Sequence, residues 1–186
     1  MMRIAVTGGS CSGKTTAVQR ARLRDPARID VVTEVAADLL REQPVCQDGM
    51  PAAERRALQL RIHAEQLRRE SAARRCDIVL TDRGTLDAAA YWPEGAQDFW
   101  RTVGSSQALE LQRYDGVIFM EGAPAHFVGD AVRSETAEES SRIAARILAL
   151  WTDHPGLVRV AACAVFEDKM QQFLRALDAM TARPQA

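Results

Sequence analysis

The sequence predicts an α/β domain in which helices cover both faces of a five-stranded parallel β-sheet. Short apolar runs alternate with longer helical segments along the chain, an alternation typical of parallel sheets. A glycine-rich segment separates the first apolar run from the first helix, as in many folds of this class. The length of 186 residues suits one domain that buries its own hydrophobic core.

The strands are placed by apolar runs of four to six residues between the helical segments. They are predicted at Ile4–Thr7, Ile29–Thr33, Asp77–Thr81, Val117–Met120 and Leu157–Ala161. The carboxyl ends of strands in open α/β sheets form the edge where ligands bind, so the residues that follow these strands are candidates for a site.

The helices are placed by their apolar periodicity and by the residues at their ends. Pro44 ends the second helix because its ring clashes with the preceding turn, and Pro51 starts the third, where its missing N–H costs nothing. The predicted helices are Gly13–Leu23, Val35–Gln43, Pro51 to about Arg75, Thr85–Tyr91, Asp98–Val103, Ser105–Arg113, Ser134–Trp151 and Glu167–Met180.

The long third helix is predicted to have one apolar face and one solvated face. The apolar face consists of Ala57, Leu60, Ala64 and Leu67, which recur at helical spacing. We expect most of the polar side chains of this helix to be solvated, namely Gln59, His63, Gln66, Arg55, Arg56, Arg61, Arg68 and Arg69.

The chain is predicted to form a single domain over residues 1–181, followed by a disordered tail over 182–186. Residues 122–133 show no clear hydrophobic period, and we expect a small lid over about 122–140. No internal repeat divides the domain further.

Composition indicates a cytoplasmic protein. No apolar run approaches the ~20 residues of a membrane span, and the N-terminus lacks the apolar stretch of a signal peptide. The four cysteines are scattered without metal-binding spacing, so we expect free thiols in a reducing compartment. They are Cys11, Cys46, Cys76 and Cys163.

The charge balance argues against a general nucleic-acid binder. The chain has 24 basic and 25 acidic residues and a formal net charge of −1, whereas such binders carry a basic surplus. Only two of the basic residues are lysines, Lys14 and Lys169, and the rest are arginines. We expect Lys169 to lie on a helix surface, and His126 and His154 to be ordinary loop residues.

The segment after the first strand matches a phosphate-binding loop, G-x-x-x-x-G-K-[ST]. Gly8 and Gly13 permit backbone angles that turn successive N–H groups inward around an anion, and the helix N-terminus adds partial positive charge. Lys14 would reach the β- and γ-phosphates as a compact ammonium, and Thr15 would offer its hydroxyl to Mg²⁺. The predicted nucleotide-binding residues are Gly8, Gly9, Ser10, Cys11, Ser12, Gly13, Lys14, Thr15 and Thr16.

Charged residues follow the second and third strands, at the same expected edge of the sheet. Asp82 would hold Mg²⁺ through water or activate the attacking hydroxyl, or else cap the next helix. Glu34 can accept a hydroxyl proton during phosphoryl transfer, or complement the dipole of the helix it precedes. Arg83 would bind a phosphate or the acceptor, or form a surface ion pair.

Further candidates come from the lid and from two helices. Arg133 closes the loop after the fourth strand and would neutralise charge that develops on the γ-phosphate, with Arg142 as the alternative. Gln66, Asp87 and Tyr91 are weaker candidates for contacts with the acceptor.

Four segments carry a resemblance to a known family, namely TGGSCSGKTT, VVTEVAADLL, DIVLTDRGTLDAAAYW and AVRSETAEESSRI. From Arg3 to about Leu177 the chain resembles small AAA-type ATP-binding domains related to the nicotinamide-riboside kinase domain of bacterial NAD regulators. The resemblance implies a three-layer P-loop fold with sheet order 2-3-1-4-5. It also implies ATP with Mg²⁺, GTP being left open, and phosphoryl transfer to a small hydroxyl acceptor. No second helical domain is visible, so we do not expect a hexameric motor.

Two classes of function stay open. The first is a small-molecule kinase with a nucleoside- or nucleotide-like acceptor, and the second is a nucleotide-dependent switch or NTPase that acts on a protein partner. The absence of an N/T-K-x-D guanine box weakens a GTPase, and a kinase of nucleic-acid ends has less support. We expect no nucleic-acid or membrane partner. A homodimer stays open because Trp92, Phe99 and Trp100 suit either a core or a dimer surface.

Overall fold

The computed structural model describes residues 1–42, 50–73, 76–122 and 137–182, and its strands form one parallel sheet. The strand order is β2-β3-β1-β4-β5, which confirms the expected fold. Val6 of the central strand pairs with Asp82 on one side and Ile118 on the other. The strands are β1 (Met2–Thr7), β2 (Ile29–Val32), β3 (Ile78–Asp82), β4 (Gly116–Met120) and β5 (Leu157–Val160).

The helices between the strands lie close to their predicted positions. They are α1 (Lys14–Arg24), α2 (Val35–Glu42), α3 (Ala52–Ala72), α4 (Asp87–Ala90), α5 (Ala96–Val103), α6 (Gln107–Leu111), α7 (Ala137–Trp151) and α8 (Phe166–Thr181). The predicted ends at Gln43 and Arg75 and the predicted start at Ser134 lie outside the described residues, as do most of the proposed lid and residues 183–186 of the tail.

One face of the sheet packs against α1 and α8 through aliphatic side chains. Ile4 and Val6 of β1 belong to a buried cluster with Val18 of α1 and with Phe173 and Leu177 of α8. Burial of this apolar area stabilises the fold by roughly 25 cal/mol per Å². The same face supports the start of α1, which directly follows the phosphate loop.

The opposite face of the sheet is covered by an aromatic cluster. Phe99 makes edge contacts with Trp92 and Trp100, at ring-centroid distances of 5.2 and 5.0 Å. All three side chains are buried in the core of the domain, so they do not provide the dimer surface that the sequence left open. Homodimerisation itself stays a prediction.

The buried face of α3 is polar, and the prediction of an apolar face was wrong. Ala57 and Ala64 are exposed, while Leu60 and Leu67 are only half-buried. Four polar residues that repeat at helical spacing are buried instead, namely Gln59, His63, Gln66 and Glu70. Three of them were expected in solvent. The helix can bury them because partners from distant segments satisfy part of their hydrogen-bonding capacity.

His154 lies in the loop between α7 and β5, as predicted, and its side chain is buried there. Its Nδ1 accepts a hydrogen bond from the Gly156 N–H at 3.0 Å, so Nε2 carries the proton and donates to the Tyr114 carbonyl at 2.9 Å. His126 lies outside the described residues.

The described cysteines form no disulfide with one another. Cys76 and Cys163 are free thiols, as predicted, Cys11 is not bridged to either of them, and Cys46 lies outside the described residues. Among the described helices, none combines the length and the apolar character that crossing a bilayer requires.

Candidate active site

Three neighbouring strands bring the predicted site residues to one edge of the sheet. The phosphate loop follows β1, Glu34 follows β2 and Asp82 ends β3, and these strands are adjacent in the order β2-β3-β1. The parallel arrangement therefore places side chains from three separate segments around one point, as the sequence predicts.

The phosphate loop has the backbone angles that its glycines were expected to provide. Gly8 has φ of +139° and Gly13 has φ of +88°. A Cβ at Gly8 would lie 2.3 Å from the Met120 carbonyl oxygen, and one at Gly13 would lie 2.9 Å from the Phe166 ring. Both positions therefore require glycine for space as well as for conformation.

Lys14 is buried against the loop that precedes it. Its Nζ donates hydrogen bonds to the Gly9 carbonyl at 2.7 Å and to the Ser12 hydroxyl at 3.3 Å. The loop thus closes around the ammonium group, in the manner expected of a phosphate cradle. The contact of Lys14 with phosphates stays a prediction.

Thr15 and Asp82, the two predicted metal-binding residues, are in direct contact. The Thr15 hydroxyl donates to Asp82 Oδ2 at 2.6 Å, while Asp82 Oδ1 is buried without a hydrogen-bond partner among the described groups. Burial raises the pKa of Asp82, against the opposing effect of Lys14. An orphaned carboxylate oxygen next to a hydroxyl fits Mg²⁺, which takes oxygen ligands and commonly shares them with phosphates.

No larger metal-binding cluster occurs within the described ranges. They contain no group of three His, Cys, Asp or Glu side chains that could hold a metal ion.

Arg83 links three parts of the site. Its Nε donates to Glu34 at 2.7 Å, and its Nη1 donates to the Gly8 carbonyl at 3.3 Å and lies 3.5 Å from Asp87 Oδ2. Burial alone would lower its pKa, but Tyr91, Glu34 and Asp87 raise the pKa well above the usual range, so the guanidinium stays charged. The predicted alternative of a surface ion pair does not apply, because this pair is buried.

The backbone of Arg83 is held in an unusual conformation. Its φ is +77°, a left-handed angle that costs a non-glycine residue about 1 kcal/mol. The Arg83 N–H donates to the Val6 carbonyl at 3.0 Å, and Gln66 Nε2 donates to the Arg83 carbonyl at 3.1 Å. These two bonds fix the peptide groups on both sides of the strained residue.

Asp87 lines the site and is also hydrogen-bonded to two distant segments of the chain. It accepts hydrogen bonds from the Thr7 hydroxyl at 2.6 Å and from Trp151 Nε1 at 2.8 Å. Burial raises the pKa of Asp87, while Arg83 and both donors oppose that effect. Thr7 and Trp151 were not predicted as partners of the site. The only sign of such a role in the sequence is that each brings a polar group into an otherwise apolar segment.

A cleft of about 790 Å³, counting the solvent-open space within it, adjoins these residues. Ser10 of the phosphate loop lines it together with Glu34, Arg83 and Asp87. The remaining walls are supplied by α2, α3 and the segment from Gly84 to Tyr91 that contains α4. They comprise Val35, Ala36, Ala37, Leu40, Leu58, Gln59, Ile62, Gln66, Gly84, Ala88 and Tyr91. Gln66, Asp87 and Tyr91, the weaker candidates, therefore line this cleft, and their contact with an acceptor stays a prediction.

A polar network supports the floor of the cleft. Tyr114 donates to Glu70 at 2.7 Å, and its hydroxyl accepts a hydrogen bond from the Thr85 N–H at 2.7 Å. Gln66 also donates to Glu70, at 2.9 Å. Burial raises the pKa of Glu70, and the neighbouring donors and arginines oppose it. The network ties α3 to the turn that follows Asp82.

Three other basic residues that the sequence singled out lie away from the cleft lining or outside the described residues. Arg133 lies outside the described residues, and Arg142 is exposed on α7. Lys169 is not a helix-surface residue, because its side chain is buried and its Nζ donates to the Ser12 carbonyl at 2.8 Å and to the Glu121 carbonyl. The sequence signal was its spacing, since Lys169 lies on the same α8 stripe as Phe173 and Leu177.

Comparisons with known proteins agree with this fold. A sequence model of the AAA domain family matches residues 3–169. The fold resembles a NadR protein solved with NAD and AMP-PNP (TM-score 0.69, 16% identity), covering 100% of this chain and 51% of that one. The chain thus spans about half the length of that protein. No curated protein matches it by sequence.

A second solved structure matches this chain over the whole of its own length. It is the deoxyadenosine kinase from M. mycoides with bound dATP, with a TM-score of 0.69 and 14% identity, covering 96% of this chain and 100% of that one. At these identities the likeness establishes a shared P-loop kinase-like fold.

Proposed function

The chain belongs to this AAA domain family, and we propose that it transfers the γ-phosphate of ATP to a hydroxyl of a small, nucleoside-like acceptor. One observation carries the proposal: the phosphate loop and the cleft share a wall. Ser10 lines the cleft, and Arg83 joins the Gly8 carbonyl of the loop to Glu34 beside the cleft. A donor phosphate and an acceptor hydroxyl would therefore meet next to a carboxylate.

The residues divide the chemistry between them. The loop amides and Lys14 bind the phosphates, and Thr15 and Asp82 would hold Mg²⁺, which when bound neutralises phosphate charge. Glu34 accepts the proton of the attacking hydroxyl. Arg83 orients Glu34 through its 2.7 Å contact and places positive charge near the transferring group. GTP stays an alternative donor.

The charge of the cleft favours a nucleoside over a nucleotide as acceptor. Among the described lining residues the charged side chains are Glu34, Asp87 and Arg83, and the single guanidinium already donates to protein groups. A phosphomonoester requires cationic partners that these residues do not supply. A neutral or cationic ring with a sugar hydroxyl suits the apolar walls, and Gln59 offers a carboxamide to its edge.

A switch that only hydrolyses nucleotide has weaker support. Attack by water requires a positioned water molecule but no cleft large enough for a second substrate. The cleft beside Glu34 is lined by residues of α2 and α3 as well as by Ser10 of the phosphate loop. Its largely apolar walls support an organic acceptor.

The test is an acceptor screen with the purified chain. Isotopically labelled ATP and Mg²⁺ are incubated with nucleosides, nucleoside monophosphates and sugars, and products are identified by mass spectrometry. We expect labelled phosphate on one or more nucleosides and none on the monophosphates. ADP release that needs no acceptor across the whole panel would support the switch instead.

Glu34→Gln identifies the group that accepts the proton. Loss of a general base typically slows transfer by about 100-fold or more, while ATP affinity should stay within about threefold. Glu94→Gln is the matched control, because Glu94 is exposed and pairs with Arg56 outside the cleft. Equal turnover in the two variants would remove Glu34 from the mechanism.

A further inference from the structure

The two lysines of the chain contact the same loop from two directions. Lys14 donates to Gly9 and Ser12 from the start of α1, and Lys169 donates to the Ser12 carbonyl from the first turns of α8. Lys169 has only 4% of its surface exposed, although it is a charged residue. Burial of an ammonium group costs free energy unless several acceptors surround it, so the burial of Lys169 requires a physical explanation.

The bond to Ser12 orients the next peptide group. The chain has no cis peptide bond among its described residues, and in a trans peptide the C=O and N–H point in opposite directions. Because the Ser12 carbonyl points to Lys169 on α8, the Gly13 N–H points away from α8. An anion-binding loop needs its amides turned inward in this way.

Other residues of α8 support the same turn. A Cβ at Gly13 would lie 2.9 Å from Phe166 and 3.6 Å from Met170, so the helix packs directly behind the loop. Lys169 also donates to the carbonyl of Glu121, which directly follows β4. One side chain therefore joins the phosphate loop to the end of a neighbouring strand.

We propose that Lys169 is a positioning residue of the phosphate loop, which orients the Ser12–Gly13 peptide and thereby raises affinity for the triphosphate of a nucleotide. The inference rests on the proposed nucleotide binding and names one residue that controls it. It also explains why lysine stands here in a chain that otherwise uses arginine. A compact ammonium with three donors can bond two carbonyls in a narrow space, whereas a planar guanidinium cannot enter in the same way.

Burial and charge act on Lys169 in opposite directions. Burial lowers its pKa, while Cys163 and Glu121 raise it. A charge retained behind the loop would add to the positive potential at the phosphates, because a buried site screens it weakly. Positioning and charge then act together on the triphosphate and leave the base and sugar unaffected.

The experiment compares ATP with adenosine. Calorimetric titrations in Mg²⁺ buffer measure both affinities for the natural chain, Lys169→Met and the control Arg20→Met. Arg20 bonds Glu167 in the first turn of α8 at 2.6 Å, so its loss disturbs the α1–α8 contact without touching the loop carbonyls. We expect Lys169→Met to weaken ATP binding about tenfold and adenosine binding less than twofold, and Arg20→Met to leave both within twofold.

A purely structural role predicts a different result. Lys169→Met would then lower the melting temperature of the free protein but leave the ATP-to-adenosine affinity ratio unchanged, which overturns the proposal. If Lys169→Met does not fold, Lys169→Gln is measured instead, because it keeps an N–H donor without the charge. The proposal then requires the ratio of ATP affinity to adenosine affinity to fall at least threefold in that variant.

The result also separates this proposal from that of phosphoryl transfer. If the natural chain binds ATP but transfers no phosphate, the proposed function is wrong. The ratio of ATP affinity to adenosine affinity still tests the positioning role of Lys169 in that case. If it binds none of ATP, GTP and tripolyphosphate, both proposals are overturned.

Discussion

The phosphate-loop region and the cleft region of this domain are built in different ways. The loop region consists of Gly8–Thr16 with α1 and α8, and one continuous stretch of sequence supplies most of its polar groups. The cleft region consists of α3, Arg83–Tyr91, Tyr114 and Trp151, whose polar contacts span long sequence separations. The bond between Tyr114 and Glu70, for example, joins residues 44 positions apart. A site of the first kind is encoded locally, whereas the second depends on the whole fold.

The two regions also differ in what is buried beneath them. Mostly aliphatic side chains and Phe173 lie under the loop region, whereas the buried residues of the cleft region include Glu70, Asp87, His63 and Glu110. A buried polar group that loses its partner costs about 1–3 kcal/mol. Substitution of the Lys14 side chain in the loop should therefore change mainly ATP binding, whereas substitutions in the cleft region should change stability as well.

Lys14→Ala should give the largest effect and leave the cleft region intact. Its side chain supplies the charge expected on the phosphates, and hydrogen bonds to charged groups contribute about 1.5–3 kcal/mol. We expect ATP affinity to fall about 100-fold by calorimetry, with a melting temperature close to that of the natural chain. A large loss of stability would contradict the separation of the two regions.

Gly84→Ala tests the cleft region through its packing. A Cβ at Gly84 would lie 2.5 Å from the Trp151 ring and 3.1 Å from the Tyr114 hydroxyl. Both neighbours are buried, so the overpacking should cost about 2 kcal/mol in the free energy of unfolding. Chemical denaturation measures it.

Gly104→Ala is the matched control for that substitution. Gly104 has φ of +67° with open space around its Cβ position, so only the backbone penalty of about 1 kcal/mol applies. A greater loss at Gly104 than at Gly84 would show that packing against Trp151 is not tight.

The loop region was predictable because its signal is contiguous. The motif places Gly8, Gly13, Lys14 and Thr15 relative to one another, and the strand before it and the helix after it follow from short apolar patterns. The order of the strands in the sheet was predicted from the family resemblance. Glu34 and Asp82 could be assigned to the same edge because parallel strands end together.

The polar face of α3 could not be predicted by the same means. Periodicity identifies which residues share a helix face, but it assigns the apolar set to the core. Gln66 and Glu70 are buried because Tyr114 and the Arg83 carbonyl reach them from far along the chain. Lys169 was misplaced for a related reason, since its carbonyl partners carry no side-chain signal in the sequence.

Tyr114→Phe sharpens the comparison by removing one hydroxyl from the cleft region. The Thr85 N–H loses its acceptor and Glu70 loses a donor, both at buried positions. We expect a loss of about 1.5 kcal/mol in the free energy of unfolding and unchanged ATP affinity. Thr181→Val is the control, because it removes a hydroxyl that bonds the Leu177 carbonyl near the end of α8. Equal losses would show that the network adds nothing beyond an ordinary hydrogen bond.

His63→Gln should have the smallest effect at pH 7, and its effect should change as the pH falls. Burial lowers the pKa of His63 below its usual 6.5, with Glu110 opposing and Arg113 reinforcing the shift. The unfolded chain therefore binds more protons than the folded chain as pH falls below about 6.5, so the natural protein loses stability there. Relative to His63→Gln, its free energy of unfolding should decline between pH 7 and pH 5, by at most about 1.4 kcal/mol per pH unit. Gln59→Asn, on the same buried face but without a titrating group, should shift the curve without changing its slope. Parallel curves for the natural chain and His63→Gln would mean that the charged imidazolium is as stable at the buried face of α3 as it is in water.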